Sequence, residues 1–302
     1  MNIKEIRNRA NEELIKNDVE DAVAKTSLLL QYILDMNKTE LVVNDGTEIS
    51  KEQQTEIFRN IKEIINGKPI QYITHHQEFM GLNFYVDENV LIPQPDTELL
   101  VEAAIHKLVQ ILNEEIKVLD LCTGSGAIAI SLENYVLNHI AKNKDNSKNT
   151  NDLKKQNIKI YASDISTEAL QVARKNAIIN NEDTNIRFIK SDMFENINDK
   201  FDIIVSNPPY IETKTIQKLS KEVQHEPHIA LDGGADGLEF YRIIAKEAKK
   251  RLKERGWILL EIGYNQREAV SNLLTSEGYK EITCIKDLGG NDRVIMALLG
   301  QV

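Results

Sequence analysis

The sequence predicts a doubly wound α/β fold preceded by a small helical domain. Three observations predict it. From residue 97 onward, short apolar runs alternate with amphipathic helical segments, the pattern of a parallel sheet covered on both faces. The first 70 residues carry only helical periods, and a small-residue turn containing Gly124 and Gly126 follows the first apolar run of the α/β part.

Within 1–70, Leu28, Leu29, Ile33 and Leu34 form one apolar stripe and Ile57, Ile61, Ile64 and Ile65 another. Ser50 and Gln53 have capping-box spacing at the start of the second stripe, and Gly67 and Pro69 supply its stop. A helical bundle is expected. Residues 71–96 change character: aromatic and β-branched residues around Gly81, then paired prolines, predict a β-hairpin linker ending in a rigid loop. In 97–302 the strands are "KVLDL", "IKIYAS", "IRFIK", "FDIIVS" and "WILLEIG". "STEALQVARKNAIIN" and "EFYRIIAKEAKKRL" read as covering helices. The C-terminal "YKEITCIKDLGGNDRVIMALL" predicts two strands joined at Gly-Gly-Asn, adding an antiparallel strand to the sheet. Residues 138–157 are nearly all polar and are expected to form a mobile surface insertion, since they offer little apolar surface to offset ordering.

Composition bounds the function. The 302 residues are 41% hydrophobic, enough for a substantial core, and no run approaches the length of a membrane span. The N-terminus lacks the apolar block of a signal peptide, so a soluble cytoplasmic protein is expected. A formal charge of −10 disfavours a broad phosphate-tracking surface. Cys122 and Cys284 match no metal-ligand spacing and suggest a reducing compartment; neither do the adjacent His75 and His76 make a metal site.

The chemistry concentrates at strand ends. Glycines in "DLCTGSGAIAI" permit positive φ and close approach of a ligand, although a tight strand-to-helix turn needs them too. Asp164, closing the second strand, suits the hydroxyls of a ribose; it could instead cap the following helix, as could Ser166. Its interval from the glycines exceeds the usual ~20 residues, and the polar insertion accounts for the excess. Asp192 after the third strand could accept from an adenine amine with Met193 and Phe194 against the ring, or serve as a cap beside core side chains.

Those features fit dinucleotides and S-adenosylmethionine alike, and "NPPY" after the fourth strand separates them. Two prolines stiffen the segment holding Asn207. An amide or aromatic amine is a poor nucleophile. Fixing its N–H bonds on the Asn207 side-chain oxygen and the Pro208 carbonyl aims the nitrogen and stabilises the charge developing on it, with Tyr210 placed to stack on the flat group.

From the helical N-terminus to the C-terminal hairpin, the chain resembles the release-factor glutamine N5-methyltransferases, the PrmC/HemK family. The matching stretches are "VLIPQPDTELLV", "DLCTGSGAIAI", "SDIS", "NAIIN", "SDMF", "SNPPYI", "EPHIALDGGADGLEFYR" and "LEIG". The resemblance implies a seven-stranded class I S-adenosylmethionine-dependent methyltransferase fold, and as substrate the glutamine in the Gly-Gly-Gln loop of bacterial peptide-chain release factors. It implies that Cys122, Thr123, Gly124, Ser125, Gly126, Asp164, Asp192, Met193 and Asn207 hold the cofactor. Asn207, Pro208, Pro209 and Tyr210 would hold the glutamine, with Asn207, Pro208 and Tyr210 as the catalytic set. The N-terminal domain would recognise the release factor, and a monomer is expected. Two positions depart from the family: Gln94 stands where arginine is usual, and Cys122 where glycine is usual. Losing the arginine removes an ion-pair partner for Glu98 or a partner for the substrate backbone; the alternative role for Glu98 is simply to open a helix. The competing readings are a nucleic-acid base methyltransferase, which the acidic balance disfavours, and a non-catalytic S-adenosylmethionine-binding module, which the complete "NPPY" disfavours.

Overall fold

The computed structural model describes residues 1–111, 115–143 and 158–300 and divides the chain into two compact units. One comprises Met1–His76 with Leu219–Glu226, the other Gln77–Lys218 with Pro227–Val302. Among the described residues no helix is long and apolar enough to cross a membrane.

The first unit contains α1 (Ile3–Lys16), α2 (Ala22–Leu34), α3 (Lys38–Val43), α4 (Lys51–Ile65) and α5 (Ile70–Thr74). Reciprocal capping boxes start three of them: Asn2 with Glu5, Asn37 with Glu40, and Ser50 with Gln53. Each satisfies backbone N–H groups that a helix start leaves unpaired. Ile57, Ile61 and Ile64 of α4 and Leu29, Leu30 and Leu34 of α2 meet Ile3, Ile6 and Leu14 of α1 in one apolar core. The stripe on α2 is therefore displaced from the expected one. Leu28 is exposed and Leu30 takes its place inside, because the helix axis turns the Leu29–Leu30 side toward α1 and α4. Lys25, itself buried, pairs with Glu222 of the 219–226 segment.

The hairpin is confined to β1 (Gln77–Phe79) and β2 (Leu82–Phe84), shorter than the expected 71–96 because α5 occupies 70–74. Met80 and Gly81 both take positive φ, the requirement of a two-residue hairpin turn matched to strand twist. Beyond it the chain runs α6 (Pro95–Leu108), β3 (Ile116–Leu121), α7 (Ala127–Asn143), β4 (Ile158–Asp164), α8 (Thr167–Asn180), β5 (Arg187–Lys190) and β6 (Phe201–Ser206). Three short helices follow, α9 (Thr213–Ile216), α10 (Lys221–Gln224, part of the helical unit) and α11 (His228–Leu231). The chain closes with α12 (Glu239–Ala248), β7 (Leu252–Glu261), α13 (Arg267–Ser276), β8 (Tyr279–Lys286) and β9 (Asp292–Leu299). Helix α7 extends through 138–143, so the expected surface insertion begins as helix; its remainder, 144–157, lies outside the described residues.

Seven strands make one sheet in the order β5-β4-β3-β6-β7-β9-β8, parallel from β5 to β7. The terminal hairpin adds two antiparallel strands, with β9 inserted between β7 and β8. Apolar clusters cover both faces, which is why the central strands are uninterrupted apolar runs and show no alternation. Strand register sets the site. Leu121, Ser163, Ser206 and Leu260 lie in one row across the sheet, so Cys122, Asp164, Asn207 and Glu261 all stand one step beyond it.

Gly67 closes α4 at φ 101°, and a β-carbon there would collide with the side chain of Lys221. Gly67→Ala is expected to destabilise the helical unit by about 1–3 kcal/mol, through positive φ and overpacking together. Denaturant unfolding followed by circular dichroism measures it; an unchanged midpoint would show that the 219–226 segment yields freely.

Candidate functional site

A pocket of about 1070 Å³, mouth included, opens over the ends of β3, β4 and β6. Its walls include Cys122, Thr123, Gly124, Ser125, Asp164, Asp192, Met193, Asn207 and Pro209, joined by Asn89–Leu91, Gln94, Thr97, Ile229 and Phe240.

The turn after β3 is built around a buried acid. Asp120 accepts from the Thr123 hydroxyl at 2.5 Å and the Ala129 N–H at 3.1 Å, tying the strand to the first turn of α7. Burial pushes its carboxyl up to about 7 against the opposing effect of those two donors. Gly126, at φ 83°, has no room for a side chain: a β-carbon would lie 2.9 Å from Ile130 Cδ1 and 3.1 Å from Ala173 Cβ. At Gly124 a β-carbon would meet nothing within 4 Å, so the backbone faces open pocket. Cys122 holds φ 62°, a left-handed conformation that a glycine would adopt without strain, and its sulfur rests 4.0 Å from Met193 Sδ. Burial raises its thiol well above the ordinary range, which keeps it protonated and inert.

Asp164 locks two loops. One carboxylate oxygen accepts the Gly124 N–H and the other the Ser166 N–H, both at 2.9 Å. The helix cap is Ser166, whose hydroxyl accepts from Ala169 N–H, so Asp164 is not the cap of α8. Burial raises the Asp164 carboxyl, opposed by its backbone donors. After β5, Asp192 is exposed on the pocket wall, while Met193, at φ 43°, and Phe194 are buried against the core.

The elbow 207–210 is braced from several sides. Asn207 Nδ2 donates to Thr97 Oγ1 at 3.2 Å, and Thr97 Oγ1 donates to Glu261 Oε2 at 2.7 Å. Tyr210 turns its hydroxyl to Glu261 Oε1 at 3.4 Å. Among the described residues no donor meets Asn207 Oδ1. Pro208 and Tyr210 stand outside the pocket wall, Pro208 buried and Tyr210 half-buried. The Tyr210 carbonyl accepts from Gln266 Nε2 at 3.0 Å, and Ile211 bridges in parallel to Asp232. Gly233 is glycine because a β-carbon would lie 2.7 Å from Tyr210 Cα. That contact explains part of the "EPHIALDGGADGL" stretch. Glu98 accepts the Met80 N–H at 2.6 Å, tying the hairpin turn to α6, and Gln94 donates to its own neighbour Ile92 O.

Thr97, Asp120, Glu261 and Gln266 brace the elbow and the turn after β3, a part the sequence analysis left without residues. A signal existed for two: an acid inside "KVLDL" or "WILLEIG", both buried strands, must find donors. Glu261 is 2% exposed, and burial pushes its carboxyl up to about 7, opposed by the Thr97 hydroxyl and the Arg293 guanidinium.

A family model described as the PrmC N-terminal domain matches residues 5–74, and one described as N-6 DNA Methylase matches 93–251. The release factor glutamine methyltransferase of Clostridium acetobutylicum is 38% identical over 304 aligned residues, covering 99% of each chain. That of Streptococcus pneumoniae is 36% identical and covers 100% of both chains. Among solved structures, the hMettl16 catalytic domain in complex with MAT2A 3'UTR hairpin 6 superposes with TM-score 0.54 at 20% identity, over 78% of this chain and 84% of that one. This last likeness concerns the fold.

Glu261 makes a stability prediction. Its carboxyl titrates at about 7 when folded against an ordinary 4.5, so between those values the folded chain keeps a proton that the unfolded chain has released. Stability therefore falls as pH rises through that window. Asp120 contributes in the same sense, so Glu261→Gln should roughly halve the fall, on the order of 2 kcal/mol, rather than abolish it. Thermal unfolding of both proteins from about pH 5 to about pH 8 checks this; parallel curves would contradict it.

Proposed function

The chain belongs to the release factor glutamine methyltransferases, and from that premise we propose that its pocket holds S-adenosylmethionine beside a glutamine side-chain amide presented by a peptide-chain release factor. The observation that carries the reading is the pairing of Asp164 and Asn207. They stand at one level of the sheet edge, line one pocket, and Asn207 keeps an amide oxygen that no described donor meets.

The walls fit the cofactor. Gly124 offers backbone to open space, Asp164 retains acceptor capacity beyond its two backbone donors, and Met193 gives an apolar surface beside the exposed acid of Asp192. In this reading the Cys122–Gly126 turn receives the methionine portion, Asp164 the ribose hydroxyls, and Asp192 with Met193 the adenine. When bound, the group supplies an electrophilic methyl on a sulfonium. The chain's own residues supply orientation. Asn207 Oδ1 accepts one N–H of the glutamine amide and the Pro208 carbonyl the other, with the Tyr210 ring flanking the flat group. An amide nitrogen is nucleophilic only as its lone pair leaves conjugation; two fixed acceptors stabilise the positive charge that then develops. Because proline has no N–H and a fixed φ, Pro208 and Pro209 hold these acceptors without the entropy cost of a mobile loop.

The match to an N-6 DNA Methylase model covers the half of the chain that contains the elbow and leaves out the N-terminal helices, as expected for chemistry shared by planar nitrogen acceptors. Full-length relatives include those helices, and the net charge of −10 argues against a nucleic-acid track.

Mass spectrometry of the Gly-Gly-Gln peptide, after incubating chain, S-adenosylmethionine and release factor, tests the reading: one added methyl on the glutamine is the expected result. Asp164→Ala should weaken cofactor binding in calorimetric titration, since each hydrogen bond to a charged acceptor contributes about 1.5–3 kcal/mol. Unchanged affinity would confine Asp164 to loop bracing. Asn207→Asp keeps an acceptor but sets a carboxylate beside Thr97. Its single-turnover rate with saturating cofactor should fall by a factor on the order of ten to a thousand, and Asn207→Ala should fall further. A near-normal alanine rate would remove Asn207 from the mechanism.

A further inference from the structure

The route by which Asn207 acquires its orientation ends at a residue outside the pocket. A carboxylate only accepts hydrogen bonds, and a threonine hydroxyl has one hydrogen to give. Once Thr97 Oγ1 donates to Glu261 Oε2 at 2.7 Å, it has only lone pairs left for Asn207. The carboxamide must then turn its NH2 group toward Thr97, at 3.2 Å, which leaves its oxygen, on the other side of the same planar group, free of any described donor. Glu261 is fixed in turn, by the Tyr210 hydroxyl on its other oxygen and by the Tyr241 hydroxyl, which donates to its backbone carbonyl at 2.8 Å.

We propose that Glu261, acting through Thr97, is the positioning residue that selects the productive face of the Asn207 carboxamide. This rests on the methyl-transfer reading, in which Asn207 Oδ1 must meet a substrate N–H. The direction of the chain depends on Glu261 being ionised. A protonated Glu261 donates to Thr97, Thr97 then donates onward, and Asn207 presents NH2 to the substrate's own N–H, a donor against a donor. The groups facing Glu261 are Arg293 from β9, Asp96 and Thr97 from α6, Tyr210 from the elbow and Tyr241 from α12. Among these, Arg293 favours the ionised form and Asp96 opposes it. Burial outweighs both and brings the carboxyl up to about 7, so the reversal falls within the pH range of an ordinary assay. The sign follows: the oriented state exists above that pH and is lost below it.

Single-turnover methylation of the release-factor glutamine, with saturating S-adenosylmethionine across the pH range, tests the proposal. The unaltered chain should show an acid limb with a midpoint near 7. Glu261→Gln, which still offers Thr97 an acceptor but does not titrate, should lose that limb. Thr97→Val keeps the shape and removes the hydroxyl; its rate should fall roughly tenfold or more above the midpoint and converge on that of the unaltered chain below it, with cofactor affinity little changed. Thr97→Ser, which keeps the hydroxyl, should recover much of that loss. An acid limb unchanged in Glu261→Gln, or a Thr97→Val rate above the midpoint within about threefold of the unaltered chain, overturns the relay while leaving the methyltransferase reading intact. Absence of glutamine methylation by the unaltered chain overturns both.

Discussion

Parallel pairing of β3 with β4 on one side and β6 on the other is the constraint from which the site follows. It brings Leu121, Ser163 and Ser206 to one level, with Leu260 of β7 continuing the row. The next residue of each strand stands at the same edge, Asp164 and Glu261 as the last residues of β4 and β7, Cys122 and Asn207 just past β3 and β6. Four residues from distant parts of the chain, Cys122, Asp164, Asn207 and Glu261, are thereby delivered side by side without any of them having to fold toward another. A slip of one residue in any pair would reverse the side on which each chain emerges. Two apolar faces, both filled, prevent that slip.

Two buried carboxylates hold the edge in shape. Asp120 secures the turn that begins α7, and Glu261 gathers α6 and the elbow around the end of β7. Both groups are disfavoured as ions by their surroundings, as the rise of each to about 7 records. Each is retained with donors that an apolar residue could not engage, which specifies one arrangement of loops at the expense of some stability. Around the elbow, Gln266 and Gly233 act on backbone: one hydrogen bonds the Tyr210 carbonyl, the other gives it space. The result is an elbow held in one conformation by its surroundings as well as by its prolines.

What the sequence made legible were local signals. Glycine and proline reveal their conformational role from their immediate neighbours, so the turn at Gly124 and Gly126 and the elbow at Pro208 and Pro209 could be recognised at sight. Apolar runs identified the strands and the Ser50 capping box started α4 as expected. Pairings over long separations could not be read in this way. Thr97 and Glu261 are 164 residues apart, and nothing in either segment names the other. The position of β9 inside the sheet, between β7 and β8, is likewise a property of tertiary packing. Leu28 went astray for a subtler reason: neighbouring leucines in "SLLLQ" fit two helical faces equally, and only the partner helices choose between them.

The helical unit is threaded through the chain rather than appended to it. Its core segment ends at His76, yet Leu219–Glu226 returns to it between Lys218 and Pro227, so the polypeptide passes from one unit to the other three times. The returning segment brings Glu222 to Lys25 and Lys221 against Gly67. A catalytic fragment cut at residue 76, the boundary a domain engineer would choose, would strand an eight-residue loop whose partners had been removed, a few residues downstream of the elbow. Modular exchange of the helical unit between relatives would therefore require grafting two separated stretches at once, and recombination that moved only the N-terminal one would yield a mismatched loop.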